Sequence, residues 1–214
     1  MDTSVLQSIS RSVGHQAPFE DAELGGITSI SVTNARTLNG LELLRSLRIL
    51  IMNGCDVPSV AQPLCEMTSL RAVISKNSAL RDVSGLGALQ LDRMDLQRNR
   101  IDDLSPLLDQ KTLMEVNVVG NPLSSHSFRR VIPELTRRGC RVLHSDEVEW
   151  GMGIRLESAG IPFSYYRSQE GYRLCRPGMR FTLTPELNHP VIAPEDLEVL
   201  LDEDPSAIPE LFQK

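Results

Sequence analysis

The stretch that most constrains the fold is residues 91–99, which read Leu-Asp-Arg-Met-Asp-Leu-Gln-Arg-Asn. Apolar residues stand at its first, fourth and sixth positions, and an asparagine stands at its ninth. This spacing is typical of a short strand that buries alternate side chains, followed by a tight turn whose unpaired backbone groups bond to the asparagine. Because a single strand of this kind has nothing to pack against, the pattern predicts further copies in the chain.

Sliding this nine-residue frame along the sequence finds four more copies. In chain order, the five frames begin at Ile27, Leu47, Leu70, Leu91 and Leu113. Their ninth positions hold Ala35, Cys55, Ser78, Asn99 and Asn121. The steps between successive starts are 20, 23, 21 and 22 residues, and so narrow a period indicates a stack of structural repeats.

With these frames, residues 24–145 resemble the leucine-rich repeat family, and Asn99 and Asn121 match its pattern best. The resemblance implies an α/β solenoid of the short-repeat type. It would have a curved parallel sheet on the concave side and short helices or 3₁₀ turns on the convex side. Two positions depart from the pattern, because Ser75 stands where a buried leucine is expected and Ala35 lacks the hydrogen-bonding groups of an asparagine. The resemblance is informative about fold and says little about biochemistry.

The segments between the frames differ in character. Residues 38–46 and 57–68 have apolar spacing close to that of a helix, although two prolines interrupt the second segment. Residues 83–90 and 101–108 are shorter and favour a turn or a 3₁₀ helix. The convex side is therefore expected to be irregular.

Both ends of a repeat stack need a cover, because an open end would expose the core. Residues 1–26 carry apolar side chains at helical spacing, which predicts a helical N-terminal cap, with a disordered leader as the alternative. At the other end, residues 124–138 predict a helix that stops at Gly139, with a possible kink at Pro133, and residues 140–143 predict a last strand. The repeats with these closing elements span residues 27–145.

Nothing repeats in residues 146–214, which we interpret as a small α+β appendage. Residues 163–175 predict a β-hairpin, and residues 179–183 predict a third strand. An acidic helix that starts with proline is expected over residues 194–201, and a final short helix over residues 207–212. The chain is thus divided into an N-terminal cap, a repeat region and a C-terminal extension.

Composition excludes several classes of protein. The net charge of −6 and pI near 5.3 argue against binding to a nucleic-acid backbone. No apolar run approaches the length of a membrane span, and no secretory segment is apparent. The four cysteines lack metal-type spacing, so we expect reduced thiols, with Cys55 and Cys140 buried, in a cytoplasmic protein.

A search for catalytic or cofactor-binding patterns favours none. The histidines, which lie far apart in the chain, are His15, His126, His144 and His189. They share no metal-ligand spacing, and the glycine pairs lack the context of a phosphate loop. The acidic residues Asp146, Glu147 and Glu149 beside Trp150 are interpreted as a solvated loop. We therefore expect no metal, no cofactor and no enzymatic activity.

The positions of each frame that face away from the core carry the functional evidence. Positions three, five and seven are Ser29, Ser31, Thr33; Ile49, Ile51, Asn53; Ala72, Ile74, Lys76; Arg93, Asp95, Gln97; and Glu115, Asn117, Val119. From Ile49 to Asn117 these residues form the candidate partner-binding set. Ile49, Ile51 and Ile74 would form an exposed apolar patch with a charged rim, which is the composition of a protein-binding surface.

The sequence therefore predicts a non-enzymatic protein-protein interaction module. The chain would be a bacterial immunity protein that neutralises a toxin domain, or an adaptor that binds an enzyme and regulates it. Two alternatives remain open. Either terminus can fold over the isoleucines, or the repeats target a small catalytic C-terminal region. The tyrosines Tyr165, Tyr166 and Tyr172 are a second candidate recognition surface or, alternatively, part of the core of the appendage. The sequence leaves the oligomeric state and the identity of the partner open.

Overall fold

A six-stranded parallel sheet dominates the computed structural model, which describes residues 1–60, 64–178 and 188–213. The strands are β1 (Ser29–Thr33), β2 (Ile49–Asn53), β3 (Ala72–Lys76), β4 (Arg93–Asp95), β5 (Glu115–Asn117) and β6 (Arg141–Leu143). They lie in the sheet in the same order as in the chain. Each strand therefore pairs with the strand of the next repeat, as a solenoid requires.

The register of the sheet aligns equivalent frame positions. One row, which faces the core, is Ile30, Leu50, Val73, Met94, Val116 and Val142. The first five of these side chains are at most 2% exposed, and they belong to one apolar core that runs through all repeats. The predicted leucine-rich repeat solenoid, with one strand per repeat and a closing strand, is confirmed.

The asparagine at the ninth position joins successive repeats. Asn99 is buried, and its Nδ2 donates to the carbonyl oxygens of Ser75 (2.6 Å) and Leu96 (2.9 Å). Its Oδ1 accepts from the backbone N–H of Leu80 at 3.3 Å. Asn121 makes equivalent bonds one repeat further on. These side chains satisfy backbone groups that would otherwise be buried without partners.

Ser75 is the position where the repeat pattern and the core disagree. Its side chain is fully buried, and its hydroxyl oxygen has no hydrogen-bond partner among the described residues. The neighbouring position in the register is occupied by Met52, an unbranched side chain that adapts its shape to irregular gaps. The third repeat therefore keeps the strand geometry without the expected leucine.

The N-terminus covers the first repeat, as its helical spacing predicted. Helix α1 (Thr3–Val13) buries Val5 and Ile9 in the repeat core, and a short α2 (Asp21–Gly26) follows. Asp2 caps α1 by accepting from the N–H of Ser4 at 2.7 Å. The same carboxylate also accepts from the backbone N–H groups of residues 36 and 37 in the first repeat. One side chain thus links the cap to the solenoid.

The helices on the convex side are shorter than the apolar spacing predicted. They contain 3₁₀ helices at Leu41–Leu43, Ser84–Leu86 and Ser105–Asp109. The helix expected over residues 38–46 is wrong in extent, since a step of only 20 residues must hold a strand, a turn and the return path. The segment at residues 57–68 lies partly outside the described residues. The other two segments agree with the prediction.

The closing helix begins with a wide turn. Ser127–Val131 form a π-helical turn, and helix α3 (Ile132–Arg137) continues it. Pro133 explains the widening, because proline has no N–H and its ring collides with the carbonyl four residues earlier. Gly139, with φ +90°, adopts the left-handed conformation that ends the helix, as predicted.

The C-terminal extension has its own core, and its first helix was not predicted. The extension contains α4 (Glu147–Ser158), the antiparallel hairpin β7 (Ser164–Ser168) and β8 (Gly171–Cys175), α5 (Pro194–Glu203), and a 3₁₀ helix (Pro205–Gln213). Its core includes Leu156, Tyr165, Leu174 and Leu197. The third strand predicted at 179–183 lies outside the described residues.

The acidic cluster before Trp150 is a helix start and not a solvated loop. Asp146 accepts from the N–H of Glu149 at 2.8 Å, and the Glu149 carboxylate accepts from the N–H of Asp146 at 2.8 Å. This reciprocal capping box begins α4. Glu149 also accepts from the N–H of Arg167 in the hairpin, and burial raises the pKa of its carboxyl.

The C-terminal extension lies against the loops that follow β3, β4 and β5. The N–H of Gly178 donates to the backbone carbonyl of Asn77 at 3.0 Å, and the hydroxyl of Ser164 donates to the backbone carbonyl of Asn99 at 3.3 Å. The Arg98 guanidinium lies 4.7 Å from the centre of the Tyr166 ring. Glu157 is paired with two arginines of the repeats. The division into separate domains at residues 26 and 145 stays a prediction.

Candidate functional site

The candidate surface is the face of the six-stranded sheet opposite the core, which we call the concave face. Its first row of side chains is Ser29, Ile49, Ala72, Arg93, Glu115 and Arg141. Its second row is Ser31, Ile51, Ile74, Asp95, Asn117 and Leu143. Thr33, Asn53 and Lys76 begin a third row. The register thus places the predicted residues on one surface.

The three isoleucines meet on β2 and β3. Ile51 is directly opposite Ile74 in the register, and Ile49 lies on the same face of β2 as Ile51. Ile49 is 39% exposed, whereas Ile51 and Ile74 are half-buried. Large apolar side chains at the centre of a face and polar ones at its edges are typical of protein interfaces. We refer to Ile49, Ile51 and Ile74 as the isoleucine patch.

Next to the isoleucine patch, three charged side chains form a ladder across β4, β5 and β6. A terminal nitrogen of Arg93 is 2.5 Å from one carboxylate oxygen of Glu115, and a terminal nitrogen of Arg141 is 3.2 Å from the other. The hydrogen bond from Arg93, helped by both positive charges, holds the pKa of Glu115 below its usual range. We call Arg93, Glu115 and Arg141 the arginine ladder.

A second ion pair lies between the isoleucine patch and the arginine ladder. The Lys76 ammonium is 2.9 Å from the Asp95 carboxylate, and the side-chain amide of Gln97 donates to the same carboxylate at 3.1 Å. Asn117 accepts from the N–H of Val119 at 3.1 Å, so its amide oxygen is partly used within its own strand end. These polar groups hold each other in place before any partner arrives, which lowers the ordering cost of binding.

Sequence reasoning missed two residues of this face. Arg141 and Leu143 continue the first and second rows, but the closing strand was not included in the outward set. The alternation in residues 140–143, with Cys140 buried and Arg141 exposed, was the signal that would have identified them. Their inclusion changes the charge balance of the face, because Arg141 adds a second cation beside Glu115.

The described parts of both termini leave the isoleucine patch accessible. Helix α1 covers the end of the sheet at β1, and the C-terminal extension contacts the loops beyond the strand ends. The tyrosines are part of the core of the extension, because Tyr165 and Tyr166 are 1% and 4% exposed and the partly buried Tyr172 stacks on Tyr165. Tyr165 donates to the carbonyl of Ile192, and Tyr166 is hydrogen-bonded to His189. The tyrosines therefore belong to the fold of the extension.

The histidines whose contacts are clearest lie in different surroundings. His15 is exposed beside Glu23, whereas His189 is buried beside Tyr166. Within residues 1–60, 64–178 and 188–213, no group of three or more His, Cys, Asp or Glu side chains is arranged to hold a metal ion. None of the helices in that part of the chain combines the length and apolar character needed to cross a membrane.

Comparisons with known proteins describe shape alone. No protein-family model matches the chain, and no curated protein matches it. Among solved structures, internalin C2 of Listeria monocytogenes is 17% identical, with a TM-score of 0.45, over 75% of this chain and 80% of that one. Internalin F of the same organism is 16% identical, with a TM-score of 0.33, over 69% of this chain and 65% of that one. The leucine-rich repeat assignment therefore rests on the register and asparagine contacts of this chain.

Proposed function

We propose that this chain is a non-enzymatic protein-interaction module whose concave face binds a protein partner. The observation that carries the proposal is the isoleucine patch, which combines partly exposed apolar side chains on two adjacent strands with a fixed polar surround. An exposed apolar cluster is unfavourable in water unless a partner covers it. Because the strands are locked in register by the core, the surface is formed before binding.

The proposed contact residues are those of the sequence-based set together with the two that the closing strand adds. They are Ile49, Ile51, Asn53, Ala72, Ile74, Lys76, Arg93, Asp95, Gln97, Glu115, Asn117, Arg141 and Leu143. We expect the isoleucines to supply most of the affinity and the charged residues to set partner choice, since buried apolar anchors dominate interface energetics.

The bacterial immunity function is a finer candidate, and the charge distribution bears on it. A basic toxin site would be covered best by an acidic surface. On the concave face the carboxylates of Asp95 and Glu115 are already paired with cations, whereas helix α5 carries exposed acids such as Glu195 and Asp196, to which the described part of the chain supplies no cation. If the partner is a basic toxin, we therefore expect α5 and not the concave face to contact it.

We also propose a cytoplasmic location, supported by the state of the thiols. Among the described residues no disulfide joins any of the four cysteines, and Cys55, Cys140 and Cys175 are buried. Cysteines without disulfide bonds are usual in reducing compartments and uncommon in secreted proteins.

The test is an affinity capture from native extract that compares the wild type with Ile51→Glu/Ile74→Glu. We expect a stoichiometric partner that the variant loses. A matched control, Leu43→Glu/Val148→Glu, adds the same charge at exposed apolar positions of the first convex segment and α4 and should keep the partner. Circular dichroism and urea unfolding establish that each variant is folded.

Since the two isoleucines are half-buried, Ile51→Thr/Ile74→Thr serves as a milder version of the first variant. A partner that binds the two isoleucine variants, Ile51→Glu/Ile74→Glu and Ile51→Thr/Ile74→Thr, as well as it binds the wild type would overturn the proposal.

A further inference from the structure

The charge on the concave face is uneven, and this bears on the chemistry of the partner. Lys76 and Asp95 neutralise each other beside the isoleucine patch. In the arginine ladder, however, one carboxylate is shared between two guanidinium groups, which leaves one positive charge in excess. An otherwise acidic chain, with a net charge of −6, thus presents a positive end on its candidate binding face.

The exposure of the ladder strengthens this imbalance. The side chains of Arg93 and Arg141 are 63% and 70% exposed, whereas that of Glu115 is 21% exposed. A partner approaching the face therefore meets the guanidinium groups first, with the carboxylate beneath them. The carboxylate also orients both arginines, and among the described residues their remaining N–H groups meet no other acceptor. Guanidinium groups held in this way favour carboxylates as ligands.

The geometry of the sheet indicates the form of the partner. The backbone groups of the inner strands are paired with their neighbours, so the face offers side chains and no free strand edge. A helix suits such a face, because its own backbone hydrogen bonds are internal. With strands about 4.8 Å apart, six strands span about 24 Å, which a helix of about 16 residues would cover.

From these observations we propose that the concave face binds an amphipathic helix that is apolar in one half and acidic in the other. The isoleucine patch, on β2 and β3, would take the apolar side chains, and the arginine ladder, centred on β5, would take the carboxylates. The two sites are about 2.5 strand spacings apart, or roughly 12 Å. This distance corresponds to about eight residues along a helix. The inference rests on the proposed function and adds the chemistry and spacing of the partner.

The experiment is a selection from a displayed library of random 16-residue peptides, with the full chain as bait. Peptides that also bind Ile51→Glu/Ile74→Glu are removed. We expect the remaining peptides to carry apolar residues at helical spacing and Asp or Glu about two turns further on. Against Arg93→Gln/Arg141→Gln, the selected peptides should bind about tenfold more weakly at low salt, and the difference should shrink as salt is raised.

The matched control is Arg130→Gln/Arg137→Gln, which removes the same charge from exposed arginines of the closing helix. It should leave binding unchanged. If peptides depend on the isoleucines but show no preference for acids, or bind the ladder variant as well as the wild type, the inference is wrong and the proposed function stands. If no selected peptide depends on the isoleucines, both the inference and the proposed binding face are wrong.

Discussion

The repeat solenoid and the C-terminal extension are built on different principles, although they are in contact. The solenoid stacks one strand per repeat over a shared core of small and medium apolar side chains, and buried asparagines such as Asn99 join neighbouring repeats. The extension instead gathers aromatic residues, including the stacked rings of Tyr165 and Tyr172, around a hairpin and helices. A periodic core can be deduced from spacing alone, whereas an aromatic core requires the tertiary structure.

The two regions also differ in what they leave exposed. The solenoid presents the concave face with its apolar centre, and the extension presents the acidic side of α5. Their contact lies at the loops after β3, β4 and β5, where Asn77, Arg98 and Asn99 meet the hairpin and the segment that follows it. The described residues of the extension therefore brace the loops at one edge of the sheet without covering the isoleucine patch. Three predictions test how independent the two regions are, and a fourth tests the N-terminal cap of the solenoid.

The largest effect is expected for Leu156→Ala in the core of the extension. Leu156 is 0% exposed, and a leucine truncated at such a position usually costs about 3–4 kcal/mol, since the transfer term and a cavity both contribute. All three tyrosines lie in the extension, whereas Trp150, although it belongs to α4, packs against the solenoid core and stacks on Phe128 of the closing turn, with ring centres 4.3 Å apart. Urea unfolding followed by tyrosine near-ultraviolet dichroism should therefore shift further than unfolding followed by tryptophan fluorescence.

The control for this variant is Leu43→Ala, at an exposed position of the first convex segment, for which we expect a change below about 0.5 kcal/mol. Equal shifts of the two signals in Leu156→Ala would show that the solenoid and the extension unfold as one unit. In that case the two regions differ in construction but not in stability.

Asn99→Ala tests the solenoid in the same way. Removing the side chain leaves the buried carbonyl of Leu96 with fewer donors and the N–H of Leu80 without its acceptor, so we expect a loss of about 2–3 kcal/mol. The exposed Asn39→Ala is the control and should change the unfolding free energy little. Here the tryptophan signal should shift at least as far as the tyrosine signal. A loss no larger than that of the control would mean that the asparagine contacts contribute little.

Asp2→Ala is expected to weaken the cap by about 1 kcal/mol at pH 7, the usual cost of losing a helix N-cap. Partial burial raises the pKa of the Asp2 carboxyl. The hydrogen bonds from the backbone N–H groups of Ser4, Thr37 and Arg36 outweigh this effect and lower the pKa below 3.8. Because the folded-state pKa is lowered, this stabilisation is complete above the unfolded-state value and is lost as pH falls through the folded-state value. Urea unfolding of both proteins at pH 7 and below pH 3 should therefore show a difference that shrinks in acid.

The control for the cap is Asp21→Ala, which removes an exposed acid from the first turn of α2. It should have a smaller effect than Asp2→Ala at pH 7. A cost of Asp2→Ala that is the same in acid and at neutral pH would contradict the role assigned to the carboxylate.

The smallest effect is expected at the contact between the two regions. Glu157→Gln removes ion pairs of 3.2 Å with Arg81 and 3.5 Å with Arg100. Because these side chains are partly exposed, we expect a loss of about 0.5 kcal/mol that disappears near 1 M salt. Glu198→Gln, whose partner Arg155 lies within the extension, is the matched control. Only Glu157→Gln should separate the tyrosine and tryptophan transitions; if Glu198→Gln separates them equally, the pairs of Glu157 do not hold the regions together.

The sequence by itself determined the repeat fold. Strand positions, their order and the inward row from Ile30 to Val116 follow from a spacing that recurs in every frame, because each repeat must bury its apolar face against the next. The outward set also followed from alternation, and it failed only where the frame ended, at Arg141 and Leu143. The closing helix and its stop at Gly139 were predicted from local capping chemistry.

Only the tertiary structure decided which contacts the side chains of the non-periodic C-terminal extension make. Asp146 and Glu149 are three residues apart and cap α4 locally, but the contact of the Glu149 carboxylate with the N–H of Arg167 in the hairpin appears only in the folded chain. Similarly, Tyr166 was a candidate recognition residue until its contacts with Arg98 and His189 showed it to be buried. Periodic burial is a local property that spacing records, whereas contacts between distant segments depend on how the whole chain packs. The charge balance of the concave face belongs with these distant contacts, because the Glu115 carboxylate lies between Arg93 and Arg141 from two other strands.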